Sequence, residues 1–254
     1  MANFEYRGGR VFYEEMGSGI PIVFIHPPGM GSMVFECQKP LSKWFRVILP
    51  DLSGHGRSPV CQTNISISGY ANEIAALLDT LEIKKAAVLG YSAGGLIAQE
   101  FALSHPERTA ALILASGYSE VQSAAFKYEH LAGMYLIKHH PEVLNPLLAA
   151  SHTSDHAYRA RLVEHMELAD KRVWFQYYGE SLHYNCTDRL KKLKAPFLLM
   201  YGSRDFANQH IRSYKKHTDF QSAVIKKVAH QLPTKKWHAF NQIILGFLFS
   251  EAKI

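Results

Sequence analysis

The chain has 254 residues, 47% hydrophobic, 20% charged and 12% aromatic, with a formal net charge of +6. That balance excludes disordered and collagen-like classes, and the length suffices to bury a large core without covalent staples. The lysine pairs Lys84-Lys85, Lys191-Lys192, Lys215-Lys216, Lys226-Lys227 and Lys235-Lys236 are scattered, with no arginine-rich arm or nucleic-acid motif. The positive charge therefore reads as a solvated surface, and no nucleic-acid partner is expected.

The first residues, Met1 to Tyr6, lack a charged segment followed by an apolar core, so no signal peptide is expected. Phe4–Arg7 and Arg10–Glu14 read as two strands around a Gly8-Gly9 turn, since paired glycines supply the positive φ that tight hairpins need. Pro21–His26 is an apolar strand that runs into His26-Pro27-Pro28-Gly29-Met30-Gly31. Two consecutive prolines remove two backbone donors from the first turn after a buried strand. Phe45–Leu49 is the next strand, followed by the loop Asp51-Leu52-Ser53-Gly54-His55-Gly56-Arg57-Ser58.

Tyr70–Leu81 has helical periodicity, Ala86–Leu89 is a strand, and Ala93–Ser104 is again helical. After the strand Ala111–Ala115, residues 118–185 hold no strand-like run, only helix formers, histidines and aromatics. Alternation then resumes with the strands Phe197–Tyr201 and Ala223–Val228 and the helix Thr234–Phe249. Continuous apolar strands alternating with helices behind an antiparallel hairpin imply an α/β fold, with a mainly parallel sheet covered on both faces. The strand-free stretch reads as a helical lid, because loops at strand ends carry binding elements. The apolar run Ile243–Phe249 is too short to span a bilayer, so no membrane association is expected.

The chemistry concentrates at Gly90-Tyr91-Ser92-Ala93-Gly94, where a strand delivers Gly-x-Ser-x-Gly directly into a helix. In that context Ser92 sits in a strained turn with its hydroxyl raised above the sheet, over a helix N-terminus able to stabilise an oxyanion. A serine hydroxyl needs a base and an acid that orients the base, both expected at the ends of later strands. Asp205 follows the strand Phe197–Tyr201, and His230 follows the last strand. Asp205 also reads as a simple helix cap, and Glu120, just past Ala111–Ala115, is the alternative acid.

These motifs resemble the α/β-hydrolase superfamily, in the branch of small lidded esterases, enol-lactonases, C–C bond hydrolases and cofactor-free haloperoxidases. The resemblance rests on the serine motif, on Asp51–Ser58, and on Ala98-Gln99-Glu100-Phe101-Ala102-Leu103-Ser104-His105-Pro106-Glu107-Arg108. It implies an eight-stranded sheet, with a core of residues 1–117 and 186–254 and a helical cap at 118–185. It also implies Ser92 as nucleophile, His230 as general base and Asp205 as its orienter, with structural roles for His55 and His105. Ala229 stands before His230 where the family more often has glycine. The loop after the third strand usually begins His-Gly and lends the second oxyanion donor beside Ala93. Neither Pro27 nor Pro28 can donate, so either that role passes to Gly29 or Met30 or the hole is weaker by one bond; Gly29 is expected because its backbone can approach a ligand closely.

The activity implied is hydrolysis of a small ester, lactone or related acyl compound through an acyl-Ser92 intermediate, without a cofactor. C–C bond hydrolysis or perhydrolysis by the same triad, and ligand sensing on the same fold, remain open alternatives. The lid aromatics Tyr128, Tyr135, Tyr158, Trp174, Phe175, Tyr177 and Tyr178 would suit an apolar acyl group or simply pack the lid on the body. His139-His140 and the pair His152 and His156 lack the context of a zinc motif, so no metal is expected. Cys37, Cys61 and Cys186 are odd in number and widely spaced, which points to a reducing, cytoplasmic setting. The oligomeric state stays open between monomer and homodimer.

Overall fold

The computed structural model describes residues 2–61 and 64–251. Eight strands lie in one sheet: β1 (Ala2–Tyr6), β2 (Gly9–Met16), β3 (Ile20–Ile25), β4 (Phe45–Pro50), β5 (Ala86–Tyr91), β6 (Thr109–Ala115), β7 (Phe197–Gly202) and β8 (Gln221–Ile225). Their order is β1-β2-β4-β3-β5-β6-β7-β8, antiparallel at the β1-β2-β4 edge and parallel from β4 to β8. The 3-10 segment Ser32–Lys43 joins β3 to β4, and the α-helices outside the β6–β7 segment are α1 (Ile67–Thr80), whose N-terminus is capped by Ser66, α2 (Gly94–Ser104), α7 (Ile211–Tyr214) between β7 and β8, and, after β8, α8 (Leu232–Lys235) and α9 (Trp237–Glu251). The segment joining β6 to β7 carries four helices, which are numbered between these in chain order: α3 (Ala124–His139), α4 (Pro141–His152), α5 (His156–Glu167) and α6 (Lys171–His183).

The continuous apolar strands have a direct physical reading, because alternate side chains of one strand serve two cores. Val88, Leu112, Leu114 and Leu199 pack with Leu77, Leu96 and Phe101 on the α1 and α2 face. Ala87, Leu89, Ile113 and Met200 pack with Phe240, Ile244 and Leu248 of α9 on the other. Each fully buried Leu, Ile or Phe contributes about 1.5–3 kcal/mol over its exposed state, so a polar residue in place of one of these would be costly.

Three local expectations are corrected. The hairpin turn is Arg7-Gly8, both at positive φ (49° and 80°), rather than Gly8-Gly9; Tyr6 pairs with Gly9. Gly9 is instead a strand residue whose missing Cβ leaves room for the Cys61 thiol. The last strand stops at Ile225 rather than Val228, because Lys227 turns the chain at φ 60° and Val228 folds back to accept from the Arg204 N–H. The C-terminal helical run is broken at Lys236 (φ −131°, ψ 35°), which separates α8 from α9.

Candidate active site

β5 ends at Tyr91, and Ser92 turns the chain into α2 with φ 53°, a left-handed conformation that costs a non-glycine residue energy and persists only where surroundings enforce it. The enforcement is visible on both sides. The Ser92 N–H donates to the Ala115 carbonyl at 2.8 Å. A Cβ on Gly90 would lie 2.5 Å from Gly95 Cα, and one on Gly94 would lie 2.2 Å from the Ile25 carbonyl oxygen. Strand, helix and the end of β3 therefore meet at backbone distance, and the first N–H groups of α2 open beside Ser92.

His230 Nε2 lies 2.8 Å from Ser92 Oγ, and His230 Nδ1 lies 3.3 Å from Asp205 Oδ1. Gly202 makes this possible: its missing Cβ leaves room for the Val228 and Ala229 carbonyls, which would otherwise stand 2.3 and 2.2 Å from it. The loop carrying His230 thus crosses directly over the end of β7. Ser116, itself at φ 53°, donates its hydroxyl to the His230 carbonyl at 3.1 Å and fixes the backbone of that loop. Asp205 both caps the turn after it, accepting from the Ala207 N–H at 2.9 Å, and faces His230. Glu120 is engaged elsewhere, accepting from Thr187 Oγ1 and Asn185 Nδ2 at 2.8 and 2.7 Å.

Electrostatics follow from burial and this contact. Burial alone would lower the His230 pKa, but the hydrogen bond and charge of Asp205, with the charge of Glu129, outweigh it and leave the pKa raised. Burial works to raise the Asp205 pKa, and the hydrogen bond and charge of His230 reverse that, so the carboxyl titrates below its ordinary range.

The β3 loop resolves the question of the two prolines. Met30 N–H donates to the Pro27 carbonyl at 3.4 Å, and Gly29 has φ 79°. Pro27 to Met30 is therefore a type II turn, with proline at its second position and glycine at the third, where positive φ is required. The N–H of Gly29 takes no part in the turn's own bond, whereas that of Met30 does. A Cβ on Gly29 would strike the Trp174 indole at 2.0 Å, so α6 packs flat on the turn. Tyr177 adds a bond from its hydroxyl to the His26 carbonyl at 3.3 Å, and Tyr158 donates to the Met33 carbonyl at 3.0 Å. The buried aromatics of the inserted helices hold this loop, whereas Tyr128 and Tyr135 are 68% and 58% exposed.

His26 and His55 are fully buried and structural in their contacts. His26 accepts from the Leu52 N–H at 3.0 Å, bridging the β3 and β4 loops, and burial pushes its pKa down to about 4. Burial likewise lowers His55 to about 3. His105 lies on the surface near Asn72. His152 ends α4 and His156 begins α5, so they do not share a helix; His152 accepts from the Tyr91 hydroxyl at 3.0 Å. Among the described residues no cluster of three or more His, Cys, Asp or Glu side chains could hold a metal ion.

A cavity of about 270 Å³ opens onto Ser92 and His230. The inserted helices wall it with Glu129, Leu148, Ser151, His152 and Tyr178, and the core supplies Pro27, Pro28, Met30, Tyr91 and Phe206. Glu129, Phe206 and Ser116 carry no local sequence signal, since each acquires its place only when distant segments fold together. Of the seven aromatics singled out in the inserted segment, Tyr178 alone lines this cavity. A larger open groove of about 680 Å³ lies away from it, near the starts of β7 and β8.

The family model for the alpha/beta hydrolase fold matches residues 20–230, from the start of β3 through the histidine beside Ser92. The chain belongs to the α/β-hydrolase family. Within this α/β-hydrolase, 105 residues are 40% identical to the pimeloyl-[acyl-carrier protein] methyl ester esterase of Aeromonas hydrophila, covering 41% of the chain and 40% of the esterase. A protein of Azorhizobium caulinodans provisionally named carbamate hydrolase RutD is 26% identical over 93% of the chain and 94% of its own length. The enol-lactonase of Burkholderia xenovorans LB400 superposes with a TM-score of 0.84 at 20% identity, covering 98% of this α/β-hydrolase and all of that chain, which speaks to the fold. The chain spans 32–40% of the length of the curated relatives matched at 37% and 40% identity. Among the described residues no helix is long and apolar enough to cross a membrane.

Proposed function

We propose that this α/β-hydrolase cleaves a small ester, lactone or related acyl compound through an acyl-Ser92 intermediate. The observation that carries the reading is the 2.8 Å contact from His230 Nε2 to Ser92 Oγ, at a serine held in a left-handed turn above the start of α2. His230 takes the hydroxyl proton as Ser92 Oγ attacks the acyl carbon, and the resulting imidazolium is stabilised by Asp205. The negative charge that develops on the acyl oxygen is met by the Ala93 N–H at the helix start and by the free N–H of Gly29. His230 returns its proton to the departing alcohol, then activates water to release the acid and restore Ser92.

Residues 118–185 act in this reading as a cap on a core of residues 1–117 and 186–254. The names of these relatives, a methyl ester esterase and a provisionally named carbamate hydrolase, support acyl transfer as the reaction class. The test is labelling by a fluorophosphonate probe. Wild-type protein is expected to label at one site and Ser92→Ala not at all; labelling that persists in the variant overturns the assignment.

A further inference from the structure

We infer that Glu129 and the aromatic rings beside it form a subsite for a positively charged group, such as a quaternary ammonium or protonated amine, on the acyl side of the substrate. This rests on the hydrolase reading for its meaning as substrate recognition, and on geometry for its existence. Glu129 projects from α3 into the cavity that holds Ser92 and His230. Among the described residues no lysine or arginine lines that cavity, although the chain carries 28 of them against 22 acidic residues. Asp205 is already committed to His230, and Glu129 forms no ion pair among the described residues. Its charge is felt by His230, but among the described residues no lysine or arginine pairs with it.

The rings complete the chemistry. Tyr91, Tyr178 and Phe206 line the same cavity, with Phe206 stacked on His230 at 6.1 Å and 46% exposed. A carboxylate beside aromatic faces is the environment in which an ammonium group keeps favourable electrostatics after losing water. Burial raises the Glu129 pKa, with His230 opposing the rise and Asp205 adding to it. A substrate carboxylate would meet like charge in the same place, with no arginine to pair with it.

The experiment uses three p-nitrophenyl esters matched in length: 4-(trimethylammonio)butanoate, its neutral isostere 5,5-dimethylhexanoate, and the anionic hemiglutarate. Wild-type protein is expected to favour the cationic over the neutral ester by roughly 3- to 10-fold in kcat/KM at low salt, and to disfavour the anionic one, as suits a partly exposed ionic and cation–π contact. In Glu129→Gln both ratios are expected to collapse towards one. A wild-type ratio near one, or ratios unmoved by the substitution, overturns the subsite while leaving hydrolysis intact. The second measurement is binding of choline against 3,3-dimethylbutan-1-ol to Ser92→Ala, with and without Glu129→Gln, by ligand-observed NMR. A choline preference that needs Glu129, in a protein that turns over none of the esters, upholds the subsite and removes the hydrolase reading. Absence of both turnover and that preference removes both.

Discussion

His230 is pulled in two directions, and the balance sets how the site responds to pH. Burial favours the neutral ring, while Asp205 and Glu129 favour the protonated one and prevail, so its pKa lies above the ordinary histidine value of about 6.5. A general base works in its neutral form. The kcat/KM of an ester is therefore expected to rise with pH through a midpoint above about 6.5 and to fall away on the acid side. Asp205→Asn removes the larger of the two supports, so the midpoint should move to lower pH while the rate drops by up to about 10⁴-fold. An unmoved midpoint would mean that Asp205 does not govern the ring. The three residues proposed to react were legible because each announces itself locally: Ser92 by flanking glycines, Asp205 and His230 by the strands before them. Ser116 and Gly202, which aim the histidine loop, were not, since their partners lie 114 and 26 or more residues away.

Among the elements, the Pro27–Met30 turn is where local sequence and tertiary packing meet. Proline at the second position presets φ, and glycine at the third supplies the positive φ that a type II turn demands. Gly29→Ala is expected to be costly twice over. An alanine at φ 79° is strained by about 1–2 kcal/mol, and its Cβ would need the Trp174 ring to move. Thermal denaturation should show a loss of stability, and, if Gly29 supplies an oxyanion donor, the shifted turn should carry its N–H out of line and lower ester turnover, by at most the roughly 100- to 1,000-fold that loss of a donor costs. Pro28→Ala keeps the contacts and frees the turn, so it should cost only about 0.4–1 kcal/mol. A Gly29→Ala protein with wild-type stability and full turnover would show that the turn does not depend on glycine at this position. The helices and strands were legible from periodicity, but their ends were not: β8 stops early because Val228 is drawn back over β7, a tertiary bond that no local pattern encodes.

Across the whole molecule, the alternation of strands and helices was enough to give the sheet and its two cores, whereas the joint between inserted helices and sheet was invisible in the sequence. That joint is Asp51 with His165 of α5, 114 residues apart and 3% and 2% exposed at their side chains. Asp51 Oδ1 accepts from His165 Nε2 at 2.9 Å and from the Ser32 N–H at 2.7 Å, while Oδ2 accepts from the Arg57 N–H at 3.1 Å. One carboxylate thus ties the β3 loop, the β4 loop and α5 together. Burial would raise its pKa, but the His165 hydrogen bond and charge and the Ser32 N–H reverse this and hold it well below the ordinary aspartate value. The sign of the linkage follows. A carboxyl depressed in the folded state contributes stability that is fully present above its unfolded pKa of about 3.9 and is lost as pH falls towards the folded value. Asp51→Asn keeps the shape but replaces an ionised acceptor that three N–H groups share, which is expected to cost about 1–3 kcal/mol at neutral pH and to lower Tm by several degrees for a chain of this size. The gap between wild type and variant should narrow below about pH 4, as wild-type Asp51 begins to lose its advantage. Urea denaturation followed at several pH values measures that gap directly, and two stability curves that stay parallel down to pH 3 would show that the ionised carboxylate is not what clamps the inserted helices to the sheet.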